Sequence, residues 1–299
     1  MMVADDYTEN LLGKMEKYGI NPDSDRKDQH FIVCKDVVDK LVDAAHISNE
    51  DYVLEIGPGI GQITEAILQK GAKLVSIEID TRFRDIIADI KTRYASRFDV
   101  IWGSALEVEW PVDVNKIVMN PPFSILEPLL EILYARREIE LISMIVGRRY
   151  YDNAIQKPGS RSFNKSALMT QAKFDSALVM EINKECFYPL SGGKSVVMTL
   201  TINKRPNPVL RSLANFYVNH REINTKFVVN QVLDLLNMNA RKYKRIEEVI
   251  TIRDVGIDVA ILNKRLQDLS NSELAQIIQR MTSQINFQRK KPKERFLVR

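Results

Sequence analysis

Tyr52-Val53-Leu54-Glu55-Ile56-Gly57-Pro58-Gly59-Ile60-Gly61 reads as a short buried strand broken by three glycines. Glycine lets the chain turn sharply and lets a ligand approach the backbone without meeting a Cβ. Downstream, residues 63–70 have helical spacing and stop at Gly71, as a residue tolerant of the left-handed region should. The alternation then continues. Strands are expected at residues 73–78, 98–102, 116–119 and 141–146, with helices at 37–45, 82–93 and 127–134. Strands alternating with helices imply a parallel sheet covered on both faces, an α/β architecture whose ligands sit at the carboxyl ends of the strands. A further strand pair is expected around residues 176–181 and 195–202.

Lys204-Arg205-Pro206-Asn207-Pro208 interrupts this pattern, since two prolines discourage both helix and central strand. The expected division is residues 1–205 as the cofactor-binding, catalytic domain and 206–299 as a smaller helical domain. Helices in the latter are read at 210–220, 225–236, 262–266 and 273–281. Residues 241–299 hold 14 Lys and Arg against 7 Asp and Glu, whereas the first 240 hold 29 against 32. Charge concentrated in this way is the footprint of a polyanion and suggests nucleic acid as the partner of the helical domain. Taken alone, Arg289-Lys290-Lys291-Pro292-Lys293 fits a solvated tail as well.

The 299 residues are 45% hydrophobic and 27% charged, ordinary globular composition with length for a core and a second unit. No stretch approaches the roughly 18 uninterrupted apolar residues that crossing a bilayer needs. Met1-Met2-Val3-Ala4-Asp5-Asp6 has neither region of a secretory signal. Cys34 and Cys186 make neither a disulfide framework nor a metal-ligand spacing and are expected as packing residues. His30, His46 and His220 are scattered. The expectation is a cytoplasmic monomer without a structural metal and without membrane association.

Chemistry concentrates at the expected strand ends. Glu78 lies 21 residues after Gly57, where an acid accepts hydrogen bonds from ribose hydroxyls. The Gly-x-Gly-x-Gly pattern lacks the last spacing of the dinucleotide fingerprint, and no pyrophosphate needs a helix N-terminus here. Glu55 adds an acidic field suited to the ammonium and sulfonium of S-adenosyl-L-methionine, acting indirectly. Asn120-Pro121-Pro122-Phe123 closes the fourth strand. The exocyclic amine of adenine is a poor nucleophile because its lone pair is delocalised into the ring. Two acceptors, the Asn120 side-chain oxygen and the Pro121 carbonyl, favour a pyramidal nitrogen and free that pair. Phe123 stacks on a base drawn out of its helix or loop.

With these residues assembled, the chain resembles the ribosomal RNA adenine dimethyltransferase family, from about Asp28 to Asn203. The landmarks are Asp28-Gln29-His30-Phe31-Ile32, Glu55 to Gly61, Glu78-Ile79-Asp80, Asn120 to Phe123, residues 156–163 and Phe187-Tyr188-Pro189. The resemblance implies a Rossmann-like S-adenosyl-L-methionine-dependent domain followed by helices, and N6-methylation of adenine in small-subunit ribosomal RNA or its precursor particle. It implies that His30 and Ile32 touch the cofactor, Gly57 lines its methionine end and Glu78 holds its ribose. The family's Asp in Gly-Asp-Ala-Leu, which by the resemblance contacts the adenine amine of the cofactor, aligns with Ser104, which has a hydroxyl but no charge. Two further departures are Pro121 in place of the usual Leu, and the sequence Tyr188 to Ser195. Arg148, Arg149, Lys157, Arg161 and Lys165 form a candidate basic rim for phosphates. Two other readings remain: a DNA adenine methyltransferase, suggested by Pro121, and an RNA-binding factor without turnover, suggested by Ser104 and the 188–195 loop.

Overall fold

A computed structural model describes residues 6–21, 29–160, 162–242 and 251–290. The chain divides into two compact units, Met1–Asp152 with Phe174–Ile202, and Asn153–Lys173 with Asn203–Arg299. The second unit thus begins three residues before Pro206 but also takes in Asn153–Lys173, which a single break along the chain misses. The physical reason is that helix α7 (Lys165–Lys173) packs against α8 (Pro208–His220), within the second unit.

In the first unit the chain runs α1 (Asp6–Lys17), β1 (Phe31–Ile32), α2 (Lys35–Asp43), β2 (Tyr52–Ile56), α3 (Gln62–Gln69), β3 (Lys73–Glu78) and α4 (Arg84–Arg93). It continues through β4 (Phe98–Trp102), β5 (Lys116–Met119), α5 (Leu126–Ala135), β6 (Leu141–Gly147), β7 (Phe174–Ile182), β8 (Phe187–Tyr188) and β9 (Ser195–Ile202). Helix α6 (Arg148–Ala154) follows β6 directly. Seven strands form one sheet in the order β4-β3-β2-β5-β6-β9-β7. The first five are mutually parallel, and β9 runs antiparallel to both its neighbours. Central strands are sealed on both sides: Val53, Leu54, Ile117, Val118 and Ile142 are fully buried, as a parallel sheet with helices on each face requires. The helices bury one stripe each, Ile63, Ile67 and Leu68 on α3 and Ile86, Ile87 and Ile90 on α4. Each such side chain removed from water is worth about 1.5–3 kcal/mol.

The second unit adds α9 (Thr225–Lys242), α10 (Ile252–Val255), α11 (Val259–Leu262) and α12 (Asn271–Lys290). The helix expected at residues 262–266 is absent: Leu262 ends α11 and Leu266 opens a 3-10 turn. Both leucines are buried, so the four-residue spacing marks two anchors of a loop. Asp28, Arg161 and residues 291–299 lie outside the described residues. Among the described residues no helix is long and apolar enough to cross a membrane.

Cys34 and Cys186 require a second correction. They are joined in a disulfide across 152 positions of sequence. Cys34 sits at the start of α2 and Cys186 just before β8, and the antiparallel pairing of β1 with β8 brings them together. The Val33 N–H donates to the Cys186 carbonyl at 2.8 Å, completing the pairing.

Candidate active site

The sheet register aligns the sequence motifs in a row. Ile56 pairs with Ile77 on one side and with Met119 on the other, while Glu78 pairs with Trp102. Gly57, Glu78, Trp102 and Asn120 therefore stand at one level, at the carboxyl ends of four adjacent strands, with Gly103 and Ser104 just beyond Trp102. The chain crosses from β4 to β5 here, so β2 and β5 flank the topological switch point where ligands of open α/β sheets bind. With strands about 4.8 Å apart, Asn120 and Glu78 are about 10 Å apart across the sheet. His30, Ile32, Gly57, Glu78, Ser104, Asn120, Pro121 and Phe123 all line one cavity of about 880 Å³. That is near the top of the roughly 300–1,000 Å³ range of small-molecule sites.

The glycine turn is held by the acid of the neighbouring strand. Gly57, Gly59 and Gly61 all have positive φ. The Gly59 N–H donates to Glu78 Oε2 at 3.0 Å, and the Asp80 N–H to Oε1 at 2.7 Å. Burial raises the Glu78 pKa above its ordinary value against the opposing pull of these two donors. Each oxygen keeps a lone pair for a hydroxyl of a ligand.

Glu55 faces the other way. It is fully buried and does not line the cavity. Its Oε2 accepts from Thr64 Oγ1 and Ser76 Oγ, both at 2.7 Å, while Oε1 has no partner. Burial pushes its pKa up to about 7, despite the two hydroxyls. The acidic field expected from Glu55 therefore gives way to a role behind the turn, joining β2, α3 and β3.

Asn120 is oriented by the arm that carries His30. Its Nδ2 donates to the His30 carbonyl at 3.2 Å. A carbonyl only accepts, so the NH2 must face it and Oδ1 is turned elsewhere. His30 Nδ1 in turn donates to the Pro189 carbonyl at 2.9 Å, and Gln62 Nε2 to the Ile32 carbonyl at 3.1 Å. The His30–Ile32 segment is thus fixed from β5, α3 and the 188–189 loop at once. Ser104 Oγ accepts from the Leu106 N–H at 3.3 Å, which leaves its own proton to donate. Phe123 is half exposed and its ring lies beside Gly147 at the end of β6. Sequence reading missed Ile79 and Leu106, exposed apolar residues in the loops after β3 and β4 that also line the cavity. The signal for Ile79 was an apolar side chain directly after Glu78, and for Leu106 one two residues beyond Ser104.

A ribosomal RNA adenine dimethylase family profile matches residues 24–274. A probable ribosomal RNA small subunit methyltransferase A of Pyrococcus abyssi is 33% identical over 270 residues, covering 90% of this chain and 95% of that protein. Its counterpart in Methanosarcina mazei is 28% identical over 256 residues, with 84% and 90% covered. Among solved structures, a dimethyladenosine transferase from Plasmodium falciparum superposes with a TM-score of 0.54 at 19% identity, over 84% of this chain and 97% of that one. The 23S rRNA methyltransferase ErmE gives 0.53 at 17%, over 84% and 99%. At those identities the structures establish the fold, the α/β methyltransferase architecture expected from sequence, and the extent of the profile and relatives establishes kinship. The chain belongs to the ribosomal RNA adenine dimethylase family and is a methyltransferase acting on ribosomal RNA adenine.

Proposed function

We propose that this protein transfers methyl groups from S-adenosyl-L-methionine to N6 of adenine in small-subunit ribosomal RNA or its precursor particle, in the cytoplasm and as a monomer. The observation that carries this reading is the single row of Glu78, Gly57 and Asn120 across adjacent strand ends, opening into one cavity.

The residues fit the cofactor. Gly57, at positive φ, leaves room beside the backbone where a Cβ would stand: nothing lies within 4 Å of that position. Glu78 offers lone pairs for ribose hydroxyls, Ser104 a donor for the adenine ring, and Gly57, His30 and Ile32 the wall of the methionine end. When bound, S-adenosyl-L-methionine supplies an electrophilic methyl group on sulfur. Asn120 Oδ1 and the Pro121 carbonyl accept the two hydrogens of the target amine, holding its lone pair toward that methyl. They also stabilise the positive charge that develops on nitrogen as the new bond forms. The methylated, tetrahedral nitrogen is strongly acidic, so its proton passes to water without a dedicated base. Phe123 stacks on the extruded base, and the buried Pro121 fixes the carbonyl geometry. The helical second unit contacts RNA in this reading, with its basic residues on phosphates.

Radiolabelled cofactor mixed with undermethylated small-subunit particles, naked ribosomal RNA or duplex DNA tests this. Label in N6-methylated adenine of the particle or RNA is expected. Label confined to DNA, or none in any acceptor, would overturn it.

A further inference from the structure

The charged groups lining the cavity are sorted by strand. Glu78 and Asp80 stand at the end of β3, and the row then passes Gly57 on β2 and Asn120 on β5. Next comes β6, whose end leads into Arg148 and Arg149, and then β9, preceded by Lys194. Acid thus lies on one side of Asn120 and base on the other, each within about two strand spacings, or 10 Å.

The cations differ in availability. Arg148 Nε pairs with Asp152 Oδ1 at 2.8 Å and its Nη1 with Glu181, so its charge is neutralised on the spot. Among the described residues, neither Arg149 nor Lys194 has an ion-pair partner, and both are exposed. The Arg148 N–H donates to the Lys194 carbonyl at 2.8 Å, which fixes the β6 end and the 191–194 loop side by side. Phe123, resting beside Gly147, adjoins this basic corner.

We infer that Arg149 and Lys194 form a phosphate subsite that grips the RNA backbone next to the target adenine, with Arg148 a structural neighbour. The inference rests on the proposed function and adds the direction of entry. A cationic cofactor suits the Glu78 side, and a polyanion suits the β6–β9 side. Drawing a base from its stack swings its backbone, and a gripped phosphate holds that strained conformation in place. Arg149 has the fork geometry for two phosphate oxygens, and Lys194 supplies a point charge.

The test uses the full chain as wild type and as Arg149→Ala, Arg149→Lys, Lys194→Ala and the Arg149→Ala/Lys194→Ala double variant. Binding of a nine-residue oligoadenylate is followed by anisotropy from 50 to 300 mM NaCl. S-adenosylhomocysteine binding and methylation of undermethylated particles are measured in parallel. Each lost phosphate contact lowers the slope of log Kd against log salt by about 0.7 for a single strand. The double variant should lose about 1.4, raise KM for particles about tenfold and leave kcat within about threefold. Arg149→Lys should keep the wild-type slope, and S-adenosylhomocysteine affinity should not move in any variant. An unchanged slope in the double variant, or a parallel loss of S-adenosylhomocysteine affinity, overturns the subsite while wild-type methylation upholds the functional reading. Wild-type protein that labels no adenine overturns that reading and the subsite with it.

Discussion

Breaking the Cys34–Cys186 disulfide should loosen the wall of the cofactor site as well as the fold. The bond closes a loop of 152 positions. In the chain-entropy treatment, such a cross-link removes about 17 cal/mol/K from the unfolded chain, or about 5 kcal/mol at 25 °C. That figure is a ceiling, since measured disulfides often deliver less. Reduction breaks the same bond without changing the sequence, so reduced wild type is measured beside the double variant. The two tryptophans, Trp102 and Trp110, both lie in the first unit and report its unfolding by fluorescence. With a guanidinium m-value of about 4 kcal/mol/M, the Cys34→Ser/Cys186→Ser variant should unfold at a midpoint lower by up to about 1 M. Its affinity for S-adenosylhomocysteine should fall severalfold without being abolished. The Val33 to Cys186 and Gln62 to Ile32 hydrogen bonds still hold the arm bearing His30. A midpoint unchanged within about 0.2 M, in the variant and in reduced wild type alike, would refute the clamp.

Three other consequences are measurable. Glu55 has a folded-state pKa of about 7 against an ordinary 4.5, so between those values the native state holds a proton the unfolded chain has released. Its contribution is full below about pH 4.5 and lost as pH rises through about 7, an effect of about 3 kcal/mol. Glu55→Gln should therefore flatten the fall in stability from pH 5 to 8, and equal pH slopes in variant and wild type would contradict the burial argument. Gly61 has φ +86°, and an added Cβ would lie 2.2 Å from Ile90 Cδ1. Gly61→Ala should cost about 1–2 kcal/mol from backbone conformation alone, plus a clash. Adding Ile90→Val should relieve the clash, and strictly additive effects of the two substitutions would argue against that contact. Ser104→Asp should tighten S-adenosylhomocysteine about tenfold, by a charge-assisted hydrogen bond to the adenine amine; calorimetry showing unchanged or weaker binding would mean residue 104 does not face the adenine.

The central strands were legible because each is a short, mainly apolar run ended by a glycine, an acid or Asn120. Buried parallel strands carry that signature locally. β2, β3, β4 and β5 accordingly match their expected bounds, while β7 extends beyond its reading at both ends. What was hidden depends on distant partners. The two-residue strands β1 and β8 have no periodicity to read, and their pairing brings Cys34 to Cys186 from 152 positions away. Glu55 sits on a motif that advertises a ligand, yet strand alternation turns its side chain inward to Thr64 and Ser76. Leu262 and Leu266 mimic one helical face because both are buried, although a turn separates them. The allotment of Asn153–Lys173 to the second unit left no compositional mark. The basic rim was visible as residue types, but which arginine is spoken for emerged only from Asp152 and Glu181.

The most direct test of methyl transfer at this site is a paired assay of Asn120→Ala, with turnover on undermethylated particles measured beside S-adenosylhomocysteine affinity. Loss of the amine's acceptor should lower kcat by about 10²–10³, with affinity for S-adenosylhomocysteine retained within a few-fold. Near-normal turnover, or affinity that collapses along with turnover, would contradict the role given to the Asn120 oxygen.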